Sequence, residues 1–178
     1  MSQHNAQNNF NNFERSVLPY LDSAYNLARW LTRNDQDAED VVQEASLRAF
    51  KYFDSFHGDN CRTWLLTIVR NTCYTWMRRN RAPELLTSFD EETDRADCEA
   101  PSQETLHANG AYLRMFNSAL EALPTEYREV VILHGLEGLT YREIAEVVEI
   151  PIGTVMSRLA RARKRLQTAL SDHVGPRT

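Results

Sequence analysis

A segment near the middle of the chain, residues 83–103, is unsuited to a packed core and so limits how the rest can fold. It is rich in acidic residues, Ser, Thr and Pro, and it lacks sustained apolar periodicity. Such a segment buries too little apolar surface to offset the conformational entropy lost on ordering. We therefore predict a linker there, with a small domain on each side of it.

Both flanking blocks show apolar residues at helical spacing, without the alternation typical of strands. The chain has only six glycines and six prolines, which favours an all-α fold over a turn-rich β fold. In the first block, we predict helices over residues 10–31 with a break near Pro19, over 36–53 behind Asn34 and Asp35, and over 61–80. In the second block, helices are predicted over 109–122, 125–135, 141–148 and 153–170.

The end of the second block has the pattern of a helix-turn-helix. Thr140-x-x-Glu143 is a capping box that opens a short helix, and a tight connection leads from it into the last helix. An ordinary corner between two helices is the alternative. Charge favours a nucleic-acid contact: residues 153–178 carry six basic groups against Asp172 alone, although the whole chain has a net charge of −5.

A helical projection of residues 153–170 places an apolar stripe on one side of the helix and a basic face on the other. The stripe consists of Val155, Leu159, Ala162 and Leu166. The opposite face consists of Ser157, Arg161 and Lys164, with Thr154 and Arg165 beside it and Arg158 at its edge. Short polar and Arg side chains at a helix N-terminus suit base edges in the major groove, and the later cations suit phosphates.

Two helices of the first block have faces that suit partners. In the helix over 36–53, a core stripe of Ala38, Val41, Val42, Ala45 and Ala49 lies opposite Asp40, Gln43, Glu44, Leu47 and Lys51. An exposed leucine is ordinary by itself, but among acidic groups it also fits a docking surface.

The helix over 61–80 mixes aromatic, Arg and amide side chains. Its predicted core positions are Leu65, Ile68, Val69, Thr72 and Trp76, and its outer positions are Thr63, Thr67, Arg70, Asn71, Tyr74 and Arg78, with Trp64 at the boundary and Phe56 in the preceding loop. This mixture suits unstacked bases, and it equally suits a Trp-rich core helix with solvated arginines.

Other classes of protein are disfavoured. No run of eighteen apolar residues occurs, and the polar N-terminal stretch lacks the apolar region of a secretory signal, so we expect a cytoplasmic protein. Cys61, Cys73 and Cys98 match no metal or redox spacing, and the histidines form no ligand pattern. Without a nucleophile–base set or a Gly-rich phosphate loop, we expect no enzyme activity, cofactor, metal or small-molecule substrate.

Residues 37–56, 63–79 and 119–166 together resemble the sigma-70 superfamily, in its extracytoplasmic-function (ECF) branch. The resemblance implies two small helical domains joined by a flexible acidic linker. Residues 1–82 would be sigma region 2, residues 83–108 the linker, and residues 109–178 sigma region 4 with its helix-turn-helix. Such a protein binds core RNA polymerase and directs promoter-specific transcription initiation.

The resemblance also implies roles for individual residues. The surface that grips the clamp helices of the largest polymerase subunit would comprise Asp40, Val41, Gln43, Glu44, Leu47 and Lys51. The minus-ten element would be captured by Phe56, Arg62, Trp64, Thr67, Arg70, Asn71, Tyr74 and Arg78. The minus-thirty-five element would be bound by Thr154, Met156, Ser157, Arg158, Arg161, Lys164 and Arg165. Many relatives have Arg where this chain has Met156, so that contact is either apolar or absent.

The implied partners are core polymerase, including its flap region, promoter DNA, and an anti-sigma factor, often membrane-bound in the family. The acidic linker would pass through the basic channel of the polymerase. We expect the free protein to bind DNA poorly, because the linker and the net charge of −5 oppose phosphate binding. The alternative function is a stand-alone regulator with a LuxR-like helix-turn-helix, which would bind duplex DNA without polymerase.

Overall fold

The computed structural model describes residues 2–80 and 107–173, and side chains over 10–80 and 110–171. The predicted linker interior and Cys98 lie outside these ranges. The described residues form α-helices and two short 3-10 helices, without a strand, which confirms the all-α prediction. The α-helices are α1 (Ser2–Val17), α2 (Leu21–Thr32), α3 (Asp35–Tyr52), α4 (Cys61–Asn80), α5 (His107–Ala122), α6 (Thr125–Gly135), α7 (Tyr141–Val148) and α8 (Ile152–His173). Among these residues, no helix has the length and apolar character needed to span a membrane.

The helix boundaries of the N-terminal half, α1–α4, follow local signals in the sequence. The predicted break near Pro19 is confirmed: a 3-10 helix, Leu18–Tyr20, separates α1 from α2. Arg33 ends α2 in the left-handed conformation, with φ 63°. The side chain of Asn34 then accepts a hydrogen bond of 3.0 Å from the backbone N–H of Asp37 and caps α3.

Small side chains allow α2, α3 and α4 to pack closely. The predicted stripe of α3 is confirmed at Ala38, Val41, Ala45 and Ala49, which are buried, and Val42 is half-buried. These alanines meet the buried Leu27 and Leu31 side of α2 in one core. Alanines on the shared face keep the helix axes close, while the leucines supply most of the apolar area.

The burial of α4 differs from the prediction. Leu65, Val69 and Thr72 are buried as expected, but Ile68 and Trp76 are only partly buried. Thr63, Leu66, Cys73 and Met77 are buried as well. The reason is that α4 packs against α2 and α3 on one side and against α7 of the C-terminal half on another. A projection of α4 alone assumes one buried side, and this helix has more than one.

In the C-terminal half, α5–α8, the predicted capping box is present. The backbone N–H and the hydroxyl of Thr140 each donate to Glu143 at 2.8 Å. These hydrogen bonds lower the pKa of Glu143. The contribution of the Glu143 carboxylate to the stability of the folded protein is therefore complete above the unfolded-state pKa of about 4.3. It is lost as the pH falls through the lower folded-state pKa. Glu149 ends α7 with φ 58°, and α8 follows with the predicted stripe Val155, Leu159, Ala162 and Leu166 buried.

The two halves also pack against each other. Helix α2 contacts α6, and α4 contacts α7. At the C-terminal end of α5, the backbone carbonyl of Glu121 accepts hydrogen bonds from Arg128, at 2.7 Å, and from Arg33 of the N-terminal half. Carbonyls at a helix end lack partners within the helix, so arginines from both halves satisfy this one.

We expect Thr140→Ala to lower the free energy of unfolding by about 1 kcal/mol at pH 7, because it removes the N-cap hydroxyl of α7. Urea unfolding followed by circular dichroism would measure the change. Thr140→Ser keeps the hydroxyl and serves as the control. Equal stability of the alanine and serine variants would contradict this role of the cap.

Candidate nucleic-acid interface

The outward face of α8 is basic and accessible. Ser157, Arg161 and Lys164 are exposed, as the projection predicted, and Thr154 is half-buried beside them. The hydroxyl of Ser157 donates 3.0 Å to the carbonyl of Thr154, so the first turn of the helix presents an ordered polar edge. The face is available to a groove because the buried stripe holds α8 against α5, α6 and α7 from the other side.

Apolar side chains also reach the surface at the start of α8. Met156 is 52% exposed and Ile152 is 42% exposed, one helical turn apart. The thioether and the aliphatic side chain offer no hydrogen-bond donor, but both suit the methyl group of thymine. Ile152 was not predicted as a site residue, although its spacing of four from Met156 could have indicated it.

Two arginines of α8 have partners within the C-terminal half. The guanidinium of Arg165 lies 5.1 Å from the centroid of the Tyr127 ring, in a cation–π contact. Arg158 turns inward and lies 3.4 Å from a carboxylate oxygen of Glu129 on α6. Arg158 is therefore less available for DNA in this conformation than the exposed Arg161.

The residues on and before α4 that were predicted to capture bases divide into two groups. In the first group, Asn71 and Arg78 are exposed. At the N-terminal end of the helix, the rings of Phe56 and Trp64 stack with centroids 4.6 Å apart. Thr67 uses its hydroxyl to donate to the backbone carbonyl of Thr63 at 2.9 Å, so its polar group is already satisfied.

Arg62, Arg70 and Tyr74 form the second group, which faces the C-terminal half. Arg70 Nε donates to Glu129 Oε2 at 2.9 Å, and Tyr74 Oη donates to the same oxygen at 3.0 Å. The carboxylate of Glu129 has no exposed surface. Arg158 of α8 also contacts this carboxylate, so Glu129 links residues of the predicted minus-ten and minus-thirty-five sets. We call Arg70, Tyr74, Glu129 and Arg158 the Glu129 cluster.

The electrostatics of the Glu129 cluster depend on its burial. Burial raises the pKa of Glu129, and the hydrogen bonds and charges of Arg70, Tyr74 and Arg158 oppose that shift. Burial together with the neighbouring carboxylate raises the pKa of Tyr74, which keeps its hydroxyl protonated as a donor. For Arg70, burial acts against the charged form, but the bonds to Glu129 raise its pKa overall. The donors Arg70, Tyr74 and Arg158 thus stabilise the buried carboxylate.

A second cluster forms around Glu137, in the connection between α6 and α7. Arg62 Nη2 donates to the carboxylate of Glu137 and to its backbone carbonyl, both at 2.8 Å. Asn26 Nδ2 donates to the other carboxylate oxygen at 3.1 Å, and Ser23 lies 3.2 Å from Arg62. We call these residues the Glu137 cluster. Nearby, Asn60 donates to Glu143 at 3.0 Å.

Neither Glu129 nor Glu137 was predicted as a site residue. For Glu129 a signal existed: it precedes Ile132 and Leu133 by three and four residues, which places an acidic residue on the apolar face of α6. Both residues are buried. A buried acid on an apolar face requires partners, and the sequence contains no indication that they come from the other half.

The predicted docking face of α3 is largely accessible. Asp40, Gln43, Leu47 and Lys51 are exposed, and Leu47 is 67% exposed. Glu44 is half-buried and forms an ion pair with Arg48 one turn later. Val41 is a correction to the predicted set: its side chain is 1% exposed and packs in the core, so it supports this face from beneath and cannot contact a partner.

Aromatic residues that were not predicted extend this face. Phe50 is 42% exposed and lies three residues after Leu47 on α3. Its ring lies 6.1 Å from that of Phe10 and 5.2 Å from that of Phe13, both on α1. The exposed Leu47 and Phe50 together form an apolar surface bordered by charged side chains, which is typical of a protein interaction site.

Comparison with known proteins gives two family matches. Residues 17–82 match the family model described as Sigma-70 region 2, and residues 113–166 match the one described as Sigma-70, region 4. Within residues 2–80 and 107–173, no group of three or more His, Cys, Asp or Glu residues could hold a metal ion.

Similar proteins include ECF RNA polymerase sigma factors of two bacteria. The chain is 32% identical over 161 residues to SigE of Mycolicibacterium smegmatis, covering 90% of this chain and 62% of that protein. It is 33% identical over 153 residues to the sigma-E factor of Haemophilus influenzae, covering 81% of this chain and 79% of that protein. The chain thus spans less than two thirds of the mycobacterial relative.

Among solved structures, the fold is similar to the sigma factor RpoE from Bartonella quintana, which was crystallised with the anti-sigma factor NepR. The TM-score is 0.69 and the identity 34%, with 90% of this chain and 97% of that chain covered. Together with the two family matches, this similarity supports the sigma-factor interpretation over the LuxR-like alternative.

We expect Cys73 to resist alkylation in the native protein at pH 8, since burial raises its pKa to about 12 and the thiolate is the reactive form. Mass spectrometry after a brief iodoacetamide pulse would measure the modified fraction. The same pulse in guanidinium chloride, where every cysteine is accessible, is the control. Rapid native labelling of Cys73 would contradict the burial of this side of α4.

Proposed function

Because the chain belongs to the ECF sigma factors of the sigma-70 family, we propose that it binds core RNA polymerase and directs it to specific promoters. The observation that carries this proposal is the arrangement of three faces in one chain. An apolar and charged surface lies on α3, an aromatic and basic surface on α4, and a basic helix-turn-helix surface on α8. Members of the family act in transcription initiation and are not enzymes, and we propose the same of this chain.

We propose that residues 1–82 form the domain for core binding and the minus-ten element, and residues 109–178 the domain for the minus-thirty-five element. Residues 83–108 would be the connecting acidic linker. The family matches at 17–82 and 113–166 support this division. The linker carries most of the chain's excess acidic charge, which suits a path through a basic polymerase channel.

For polymerase binding, we assign Asp40, Gln43, Glu44, Leu47 and Lys51 of α3. The exposed Leu47 and its neighbour Phe50 would be the apolar anchors, since interface energy concentrates in a few buried side chains. Surrounding charges would steer and orient the complex. The clamp helices of the largest subunit are the partner that we propose.

For the minus-ten element, we assign Phe56, Arg62, Trp64, Thr67, Arg70, Asn71, Tyr74 and Arg78. Melting the duplex and flipping a base cost a few kcal/mol, which stacking on aromatic rings and hydrogen bonds to base edges recover. The exposed amide of Asn71 is suited to such a base edge. The stacked Phe56 and Trp64 provide ring faces at the entrance of this surface.

For the minus-thirty-five element, we assign Thr154, Met156, Ser157, Arg158, Arg161, Lys164 and Arg165. The first turn of α8 would contact base edges in the major groove, and the later cations would contact phosphates. The exposed Met156 would contact a thymine methyl instead of donating a hydrogen bond.

We also propose that an anti-sigma factor controls the protein in the cytoplasm. The similar Bartonella quintana protein is a sigma factor in complex with the anti-sigma factor NepR. The apolar surface on α3 would be accessible to such an inhibitor as well as to polymerase.

Transcription in vitro tests the proposed function. Purified core polymerase would be combined with a genomic fragment library, with and without this protein, and the RNA start sites sequenced. We expect discrete starts that require the protein and share two sequence elements at a fixed spacing. Specific duplex binding without any association with core would instead favour the LuxR-like regulator.

We expect Leu47→Asp to weaken binding to core polymerase by at least about tenfold, because it places a charge at a side chain that the complex with polymerase would bury as an apolar anchor. Fluorescence anisotropy of the labelled protein with increasing core would measure affinity. Leu18→Asp, at another exposed leucine of the same half, is the matched control. Equal core affinity of the two variants would contradict the docking assignment.

We expect Arg161→Ala to reduce transcription from an identified promoter by a factor that corresponds to about 1–3 kcal/mol of binding, by loss of a base or phosphate contact. Abortive-product yield at limiting holoenzyme would measure it. Arg163→Ala removes the same charge from an exposed position outside the predicted face and is the control. An equal loss in both variants would indicate only a general charge effect.

A further inference from the structure

An apolar row lies on the exposed surface of α8, outside the buried stripe of that helix. We propose that Ile152 and Met156 read the C5-methyl groups of pyrimidines in the major groove, so that recognition of the minus-thirty-five element depends on methyl groups at two positions. This inference rests on the proposed function and deepens it. It adds Ile152 as a specificity-determining residue, and it extends the ligand from thymine to 5-methylcytosine.

The apolar row consists of Ile152, Met156 and Ala160, which follow one another at intervals of four residues and are all exposed. Residues at this spacing form a ridge along a helix. The core of the C-terminal half is filled from α8 by a separate set of side chains, the buried stripe from Val155 to Leu166. The fold therefore does not account for the apolar character of the row, and a partner that buries the row would.

The charges around the apolar row favour duplex DNA as that partner. Residues 152–171 contain five basic side chains and no acidic one. The next position of the row, four residues after Ala160, is the exposed Lys164. A border of one positive sign is complementary to a duplex, which carries a negative charge about every 1.7 Å along its axis.

The spacing of the two larger side chains matches the spacing of bases. Four residues of an α-helix rise about 6 Å, and successive bases on one strand lie about 3.4 Å apart. The N-terminal residues of a recognition helix are the ones that contact base edges. Ile152 and Met156, in the first turns of α8, can therefore contact methyl groups that are one or two base pairs apart. The exposed Gly153 beside Ile152 adds no side chain that would hold the groove away.

A methyl group is the feature of a base that these two side chains are able to distinguish. Bases differ in the major groove by their donors, their acceptors and the methyl group of thymine. Isoleucine has no hydrogen-bonding group, and the methionine thioether is only a weak acceptor. Because 5-methylcytosine carries its methyl group at the same ring position as thymine, an apolar contact favours both over their unmethylated counterparts.

Promoter fragments that differ only in methyl groups test the proposal. At each A·T pair of the minus-thirty-five element, thymine is replaced by deoxyuridine, and at each G·C pair, cytosine is replaced by 5-methylcytosine. Fluorescence anisotropy would give the affinity of holoenzymes assembled with the wild type, Ile152→Ala, Met156→Ala and the double variant. Leu113→Ala, at an exposed leucine of α5, is the matched control.

We expect two methyl-sensitive positions, one or two base pairs apart. At each of them, removal of the thymine methyl should weaken binding about fourfold, and addition of a methyl to cytosine should strengthen it by the same factor. Each single alanine variant should lose most of the effect at one position, and the double variant at both. Leu113→Ala should keep both effects.

Salt separates methyl recognition from phosphate contacts. The affinity itself should fall as the salt concentration rises, because phosphate contacts release counterions. The ratio of the affinities for thymine and deoxyuridine fragments should stay constant, since burial of a methyl group releases none. A ratio that falls with salt in parallel with the affinity would contradict an apolar contact.

Met156→Arg provides a change of specificity in place of a loss. Arginine donates two hydrogen bonds to guanine, so the preferred base at the position read by residue 156 should change to guanine. The methyl effect at the position read by Ile152 should persist. An unchanged base preference in Met156→Arg would contradict the placement of Met156 against a base.

The same ratio of thymine to deoxyuridine affinity in the wild type and the double variant would overturn the proposal, because the effect of the methyl group would then belong to the DNA alone. Loss of core affinity in the double variant with an unchanged ratio would also overturn it and would assign the apolar row to a protein partner.

The free full-length protein keeps this test separate from the proposed function. Its affinity would be measured for random-sequence duplexes synthesised with thymine or with deoxyuridine. Core-dependent transcription without a methyl effect that requires Ile152 and Met156 rejects the methyl recognition alone. Such a methyl effect in the free protein without core-dependent transcription supports the methyl recognition and rejects the sigma role.

Discussion

The carboxylate of Glu129 is fully buried, and its need for partners governs how the two halves of the protein meet. A buried carboxylate is costly unless positive groups and hydrogen-bond donors surround it. Arg158 of the same half supplies one partner at 3.4 Å, while the closer donors, Arg70 and Tyr74, come from α4. The side of α4 that would otherwise be a solvated basic face thereby becomes part of an interface.

This interface explains the burial pattern of α4. An isolated helix in the first half would bury one stripe, but α4 packs against α2 and α3 and also against α7. Thr63, Leu66, Cys73 and Met77 are buried as a result, and Ile68 is less buried than its spacing predicts. The helix thus has two structural roles: its apolar residues stabilise the fold, and Arg62 and Arg70 bind the carboxylates of Glu137 and Glu129.

The remaining surfaces do not depend on that contact. The exposed face of α8 is set by the buried stripe from Val155 to Leu166, and the exposed Leu47 on α3 is set by the alanines that fill the opposite stripe. Leu47 on α3 and Ser157, Arg161 and Lys164 on α8 therefore remain exposed while the two halves are in contact.

The sequence by itself determined the local features of this protein. Helix ends followed from Pro19, Asn34 and the capping box at Thr140, because each acts within a few residues of its own position. The stripe of α8 and its opposite basic face followed from helical periodicity. The family followed from the order of the matching segments, which the region 2 and region 4 matches confirm. Only the tertiary structure decided that Val41 lies beneath the α3 face, that Arg62, Arg70 and Arg158 have acidic partners, and that Glu129 and Glu137 supply them. Those pairs join residues far apart in the chain, and periodicity reports which side of a helix is buried but not what lies against it.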